Sequence, residues 1–181
     1  HMAHEIETKV LAIDQLACVE TLQGLGAQKV LETRLAVTWY RQRGVKNGED
    51  PWFLRIRSTS EGIHEVTWKA RSTIIGTARK HKEINFTIHE PEHLADLFLE
   101  LGLEAYAHQE KDRLSFTYKN WRFDFDTYPH VPPFLEIEGV SEAHVNEAIA
   151  LLSLQQNGTW AKGERTLIEE VYKRNWYAMR F

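Results

Sequence analysis

Five short stretches of the sequence repeat a like charge at a spacing of two: Glu5-Ile6-Glu7, Arg55-Ile56-Arg57, Lys111-Asp112-Arg113, Asp124-Phe125-Asp126 and Glu136-Ile137-Glu138. Successive side chains of a β-strand point to opposite faces, so each pair shares one face, about 6.6 Å apart along the strand. Like charges this close penalise a sheet unless neighbouring strands interleave the opposite sign or ions fill the space. A solvated sheet face is the ordinary alternative for any one segment, but solvated faces mix Thr, Ser, Lys, Gln and Glu and do not double like charges again and again. Arg and Lys hold phosphate oxygens, whereas carboxylates hold Mg²⁺ or Mn²⁺. A ligand that is both polyanionic and metal-bound, as a triphosphate is, satisfies both sets.

The segments around these pairs are apolar on the other face. Leu54 and Ile56 oppose Arg55 and Arg57; Trp121, Phe123 and Phe125 oppose Arg122, Asp124 and Asp126; Leu135 and Ile137 oppose Glu136 and Glu138. Strands are expected at His4–Val10, Gln28–Arg43 (one long strand or a bent pair), Trp52–Ser58, Ile63–Lys69, Arg79–Ile88, Gln109–Tyr118, Trp121–Tyr128 and Phe134–Glu138. Asp14 caps a helix with a Leu16, Val19, Leu22, Leu25 stripe that ends at Gly26. Pro91 starts a second, buried through Leu94, Leu97, Phe98 and Leu101, and Ser141 opens a third that runs to about Leu154. A last helix is expected from Thr166 to about Tyr177. Apolar strand faces turned outward under these helices, with the charged faces turned inward, describe a closed antiparallel β-barrel of about eight strands with a tunnel. The fold class is α+β.

The chain of 181 residues is expected to form a single domain over 1–181, with His1 a tag remnant. Its apolar content of 43%, charged content of 27% and net charge of −4 describe an ordinary globular protein without a basic footprint, so nucleic acid is not expected as a partner. The single cysteine, Cys18, excludes an internal disulfide and a multi-cysteine metal site, and its helical setting reads as buried packing. The sequence shows no membrane-spanning run and no secretory signal, so a cytoplasmic location without membrane association is expected. Arg79-Lys80-His81-Lys82 reads as a charged strand end, and the histidines, His81 included, lack paired metal spacing and read as surface or loop residues.

The ordered set of motifs resembles the CYTH-domain proteins of the triphosphate tunnel metalloenzyme superfamily. The N-terminal E-x-E-x-K is Glu5-Ile6-Glu7-Thr8-Lys9, followed by Leu54-Arg55-Ile56-Arg57, Thr67-Trp68-Lys69, Glu83, Lys111-Asp112-Arg113, Asp126 and Phe134-Leu135-Glu136-Ile137-Glu138. The resemblance implies that Lys9, Arg55, Arg57, Lys69 and Arg113 contact phosphates, with Lys111 and the loop residue Lys162 as further candidates. It also implies Glu5, Glu7 and Glu138 as ligands of a first Mg²⁺ or Mn²⁺, with Asp126 and Glu136 serving a second metal or the attacking nucleophile. Glu83 would orient a base or water, and Lys9, Glu83, Arg113 and Glu136 would be the residues taking part in the reaction. The chain departs from the pattern between Thr33 and Asp50, where relatives carry Tyr-x-Asp-Thr and this sequence reads Ala36-Val37-Thr38-Trp39-Tyr40-Arg41. The implied activity is metal-dependent hydrolysis of a small triphosphate-bearing molecule such as inorganic triphosphate, thiamine triphosphate or a nucleotide. Class IV adenylyl cyclase and a non-catalytic polyphosphate-binding module are the alternatives, and a homodimer is compatible with the sequence.

Overall fold

The computed structural model describes residues 2–181. In chain order the elements are β1 (Met2–Val10), α1 (Gln15–Gly24), β2 (Gln28–Gln42), β3 (Trp52–Thr59), β4 (His64–Ala70), β5 (Thr73–Ile75), β6 (Ala78–Ile88), α2 (Pro91–Glu100), β7 (Leu103–Tyr118), β8 (Trp121–Thr127), β9 (Phe134–Gly139), α3 (Glu142–Leu151), β10 (Thr159–Trp160), the short α4 (Glu164–Thr166) continuing as a π-helical turn (Leu167–Val171), and β11 (Ala178–Met179). Eight long strands form a ring in the order β1, β9, β8, β7, β2, β3, β4, β6, and β6 returns to pair with β1. Every pairing around the ring is antiparallel. This is the expected closed barrel, which leaves no long unpaired edge.

Strand alternation sets what each side of the wall does. Outward, Val10, Phe116, Phe123, Phe125, Leu135 and Ile137 pack with Cys18 and Leu22 of α1 and Val145, Ala148 and Ile149 of α3. A second patch, Tyr40, Ile56 and Val66, packs under Phe98 of α2. The caps are as the sequence predicts: Asp14 accepts a hydrogen bond from Ala17 N at 3.1 Å, and Ser141 Oγ accepts one from His144 N at 3.1 Å. Pro91 stands in the first turn of α2, where its missing N–H costs nothing.

The interior is not charged throughout. Leu35, Val37 and Trp39 of β2 join Phe134 and Tyr128 and are covered by Leu167, Ile168 and Trp176 from the C-terminal segment. This cluster lies at one side of the interior cavity, which Trp39 and Trp176 border.

Gln28–Gln42 is one long strand, the first of the two expected alternatives, with register irregularities at Lys29/Leu31 and Trp39/Tyr40. Three expectations need correction. β7 begins at Leu103, before the expected Gln109, because β2 is long enough to pair with all of it. The last helix ends at Val171: Lys173 takes a left-handed φ of 55°, and Trp176 is drawn onto Trp39, so its apolar spacing serves a barrel contact rather than a helical stripe. In α1 and α2 the stripes are narrower than predicted, with Leu16, Leu97 and Leu101 exposed because a short helix rests on a convex wall through one row of side chains.

Candidate active site

Inside the barrel a cavity of about 520 Å³ is lined by Arg55 and Arg57 of β3, Lys69 of β4, Arg79 and Glu83 of β6, Arg113 of β7, Asp124 of β8, Glu136 and Glu138 of β9, and Glu5 of β1. Each of these side chains is brought inward by the same alternation that sends Leu54, Ile56, Phe125 and Ile137 outward. Of the residues singled out in the sequence, Glu5, Arg55, Arg57, Lys69, Glu83, Arg113, Glu136 and Glu138 therefore share one chamber. Lys9, Glu7, Lys111 and Asp126 point inward by the same parity but are fully buried and do not line it. Lys162 lies apart, its ammonium 5.5 Å from the centre of the Trp160 ring.

Register interleaves the charges. Lys9 Nζ lies 3.0 Å from Glu136, Lys69 Nζ 3.0 Å from Glu83, and Arg57 Nη2 2.6 Å from Glu65. Arg79 grips Glu7 through Nε at 2.7 Å and Nη2 at 2.6 Å. Arg113 holds Asp126 with a two-pronged contact of 2.7 and 2.8 Å, and Lys111 reaches the same carboxylate at 2.9 Å and Glu164 at 3.1 Å. Glu7 and Asp126 are thus held by their basic partners, whereas Glu5, Glu136 and Glu138 face the chamber.

Two poles remain incompletely neutralised. On β3, burial and the neighbouring Arg55 and Arg113 bring Arg57 down to about 10, while the buried Arg55 Nε makes no hydrogen bond. On β9, burial, Glu5 and Glu7 push Glu138 up to about 8, and burial with Glu7 pushes Glu136 up to about 7. β3 and β9 stand opposite each other in the ring of eight strands. A surplus of positive charge thus faces a surplus of negative charge across one cavity. Glu7 behaves in the contrary way to Glu136: burial opposes its ionisation, yet Arg79, Lys9 and Lys69 hold it well below the usual carboxylate range.

Beside the acidic pole, Glu5 Oε2 is 3.1 Å and Glu83 Oε2 3.3 Å from His81 Nε2, and the donor atoms of the three residues lie within 4.8 Å of one another. Burial alone would lower the basicity of His81, but its hydrogen bonds to Glu5 and Glu83 outweigh burial and raise it. The same contact and Lys69 keep Glu83 below its ordinary value against the pull of burial. Carboxylate oxygens with one imidazole form a donor set that fits a divalent cation such as Mg²⁺ or Mn²⁺.

His81 corrects the sequence reading, since it is buried in the wall and 4% exposed rather than a surface residue. The signal was present: Arg79, His81, Glu83 and Asn85 share the strand parity already assigned to Glu83, and extending it two steps back would have turned Arg79 and His81 inward. Trp39 and Phe53 follow the same rule from β2 and β3. Glu164 and Trp176 gave no such signal, because they come from a segment whose approach to the barrel has no local periodicity.

No protein-family model matches the chain, and no curated protein matches it in sequence. Solved structures do resemble it. A protein of Pyrococcus horikoshii is 20% identical, with a TM-score of 0.73 over 94% of this chain and 99% of that one. A candidate adenylate cyclase of Vibrio parahaemolyticus is 12% identical, with a TM-score of 0.76 over 91% and 97%. A candidate adenylyl cyclase of Hippeastrum with a dominant triphosphatase activity is 11% identical, with a TM-score of 0.69 over 92% and 95%. The closed ring of strands and these likenesses together give the chain the closed antiparallel barrel fold of these solved structures.

Proposed function

We propose that this protein is a divalent-metal-dependent triphosphatase that binds the triphosphate group of a small molecule in the barrel. The observation that carries the reading is the pair of opposed poles, Arg55 and Arg57 of β3 on one side and Glu136 and Glu138 of β9 on the other. A polyanion alone would leave the acidic pole uncompensated, and a metal alone would leave the basic one so. A metal triphosphate answers both.

In this reading Arg55, Arg57, Lys69 and Arg113 hold phosphate oxygens, and their fixed positions stabilise charge that develops on the transferring phosphoryl group. Glu5 and Glu138, with His81 and Glu83 adjoining, would hold Mg²⁺ or Mn²⁺, which when bound neutralises phosphate charge and orients water. Lys9 stands with its ammonium 3.0 Å from the Glu136 carboxyl and fixes that carboxyl beside the phosphate chain. The enclosing barrel limits water, so these charges act at low effective dielectric. The structural likeness to candidate adenylyl cyclases keeps a cyclase as the second reading.

Incubation with inorganic triphosphate, thiamine triphosphate and ATP in Mg²⁺ or Mn²⁺, followed by phosphorus NMR, separates the readings. Orthophosphate as product supports the hydrolase. Cyclic AMP with pyrophosphate supports the cyclase, and absent turnover with any of the three refutes the catalytic reading.

A further inference from the structure

We infer that the cavity ends in a subsite for an aromatic ring bearing an N–H donor, so that the substrate is an organic triphosphate rather than inorganic triphosphate; this deepens the proposal above and rests on it. The cavity that holds Arg55 is also lined by Trp39, Phe53, Tyr106 and Trp176. Trp39 meets Phe53 edge to face at 6.4 Å and 88°, and Trp176 at 5.5 Å; Tyr106 lies 6.4 Å from Trp176. Phosphate recognition requires none of these rings. Their faces suit a flat apolar group with delocalised electrons.

Two buried polar atoms specify the edge of that group. Asp50 lines the same cavity and is 3% exposed, yet its Oδ1 makes no hydrogen bond. Arg41 Nη1 stands 4.0 Å away, close enough to balance the charge but too far to bond. Trp176 Nε1, also buried, has no acceptor. A buried acceptor and a buried donor left unmade are costly, and a heteroaromatic ring with an amino group and a ring nitrogen satisfies both. Because Arg41 already balances Asp50, a neutral amino group fits better than a cationic ring.

The placement connects to the phosphate-binding side chains. Phe53, Arg55 and Arg57 are successive inward residues of β3, each step about 6.6 Å, and Trp39 is the register partner of Arg55. A ring seated on Phe53 and Trp39 would therefore place its phosphate chain along Arg55 toward Arg57.

The test compares dissociation constants, by calorimetry in Mg²⁺, for ATP, for purine riboside triphosphate, which lacks the amino group, and for inorganic triphosphate. Stacking of a base on an aromatic side chain makes a difference of roughly fivefold to a hundredfold in affinity. The expected result is that the protein binds ATP at least about fivefold tighter than inorganic triphosphate. Phe53→Leu should collapse that ratio toward one and Phe53→Tyr should restore it. Asp50→Asn should erase the preference for ATP over purine riboside triphosphate. A ratio unchanged by Phe53→Leu, or tighter binding of inorganic triphosphate, would overturn the subsite while leaving the triphosphate reading standing. If none of the three ligands binds, the triphosphate reading itself fails and the subsite with it.

Discussion

Replacing Glu138 by Gln should stabilise the metal-free protein while weakening its hold on a divalent cation. Burial and the neighbours Glu5, Glu7 and Glu136 raise the Glu138 carboxyl from an ordinary 4.5 to about 8 in the folded chain. The folded state therefore keeps a proton that the unfolded chain releases between those two values. Stability falls as pH rises through that window, is unaffected by this group below about 4.5, and reaches its full loss above about 8. A tenfold change in proton affinity corresponds to about 1.4 kcal/mol, which sets an upper bound of roughly 4–5 kcal/mol for ionising Glu138 in place. The side chain is only partly buried and faces a cavity that admits water, and screening reduces the effect to about 1–2 kcal/mol.

Glutamine keeps the shape and removes the ionisation, so Glu138→Gln should raise the melting temperature in chelator by about 2–8 °C at pH 8, with no gain at pH 4.5. Thermal melts of both proteins from pH 4.5 to 8.5, with chelator and with Mn²⁺, measure this directly. In Mn²⁺ the order should reverse, because the native carboxylate gains a cation that the amide binds poorly. Equal melting temperatures at pH 8 in chelator, or a less stable variant there, would refute the claim that this wall holds uncompensated negative charge.

Arg57→Ala should lower turnover of any accepted triphosphate by roughly a hundredfold or more in a phosphate-release assay, with a melting temperature near that of the unaltered protein because Arg57 sits at the cavity surface. Asp126→Ala should act on the fold instead: it strips the carboxylate that buried Arg113 and Lys111 share, leaving them only Asp124 and Glu164, and a chemical melt should show a loss of about 3 kcal/mol. His81→Ala should weaken Mn²⁺ binding by calorimetry more than Mg²⁺ binding, since only the former takes imidazole readily. Asp14→Ala should cost about 1 kcal/mol through the lost cap of α1, read as a small drop in melting temperature without change in activity.

These outcomes bear on which parts of the molecule were legible in the sequence. Strand parity carried the barrel and placed Glu5, Arg55, Arg57, Arg113, Asp124, Glu136 and Glu138 in its cavity, because a closed sheet leaves each side chain two choices and the apolar set fixes which is outward; Lys69 and Glu83 came through the family resemblance. Parity could not tell an inward residue that lines the cavity from one locked to its partners away from it. Glu7 and Asp126 share parity with Glu5 and Asp124 but are held by Arg79, Arg113 and Lys111, and that depends on depth along the barrel axis. The C-terminal segment was illegible for a different reason. Trp176 and Glu164 are placed by contacts with Trp39 and Lys111, distant in sequence by 137 and 53 residues, and a helical turn followed by a left-handed Lys173 has no period to read.

The division between wall and lumen also accounts for a fold recognisable at 12–20% identity. A small barrel ordinarily draws its stability from an apolar interior. Here Val10, Phe123, Phe125, Leu135 and Ile137 on the outside, with the apolar cluster around Phe134 and Leu167, supply it instead. The charged face contributes little and at Glu138 opposes folding. Substitutions outside need only conserve volume and apolarity, which many sequences do. Substitutions inside are limited by charge and by the ring of strands that aims each one.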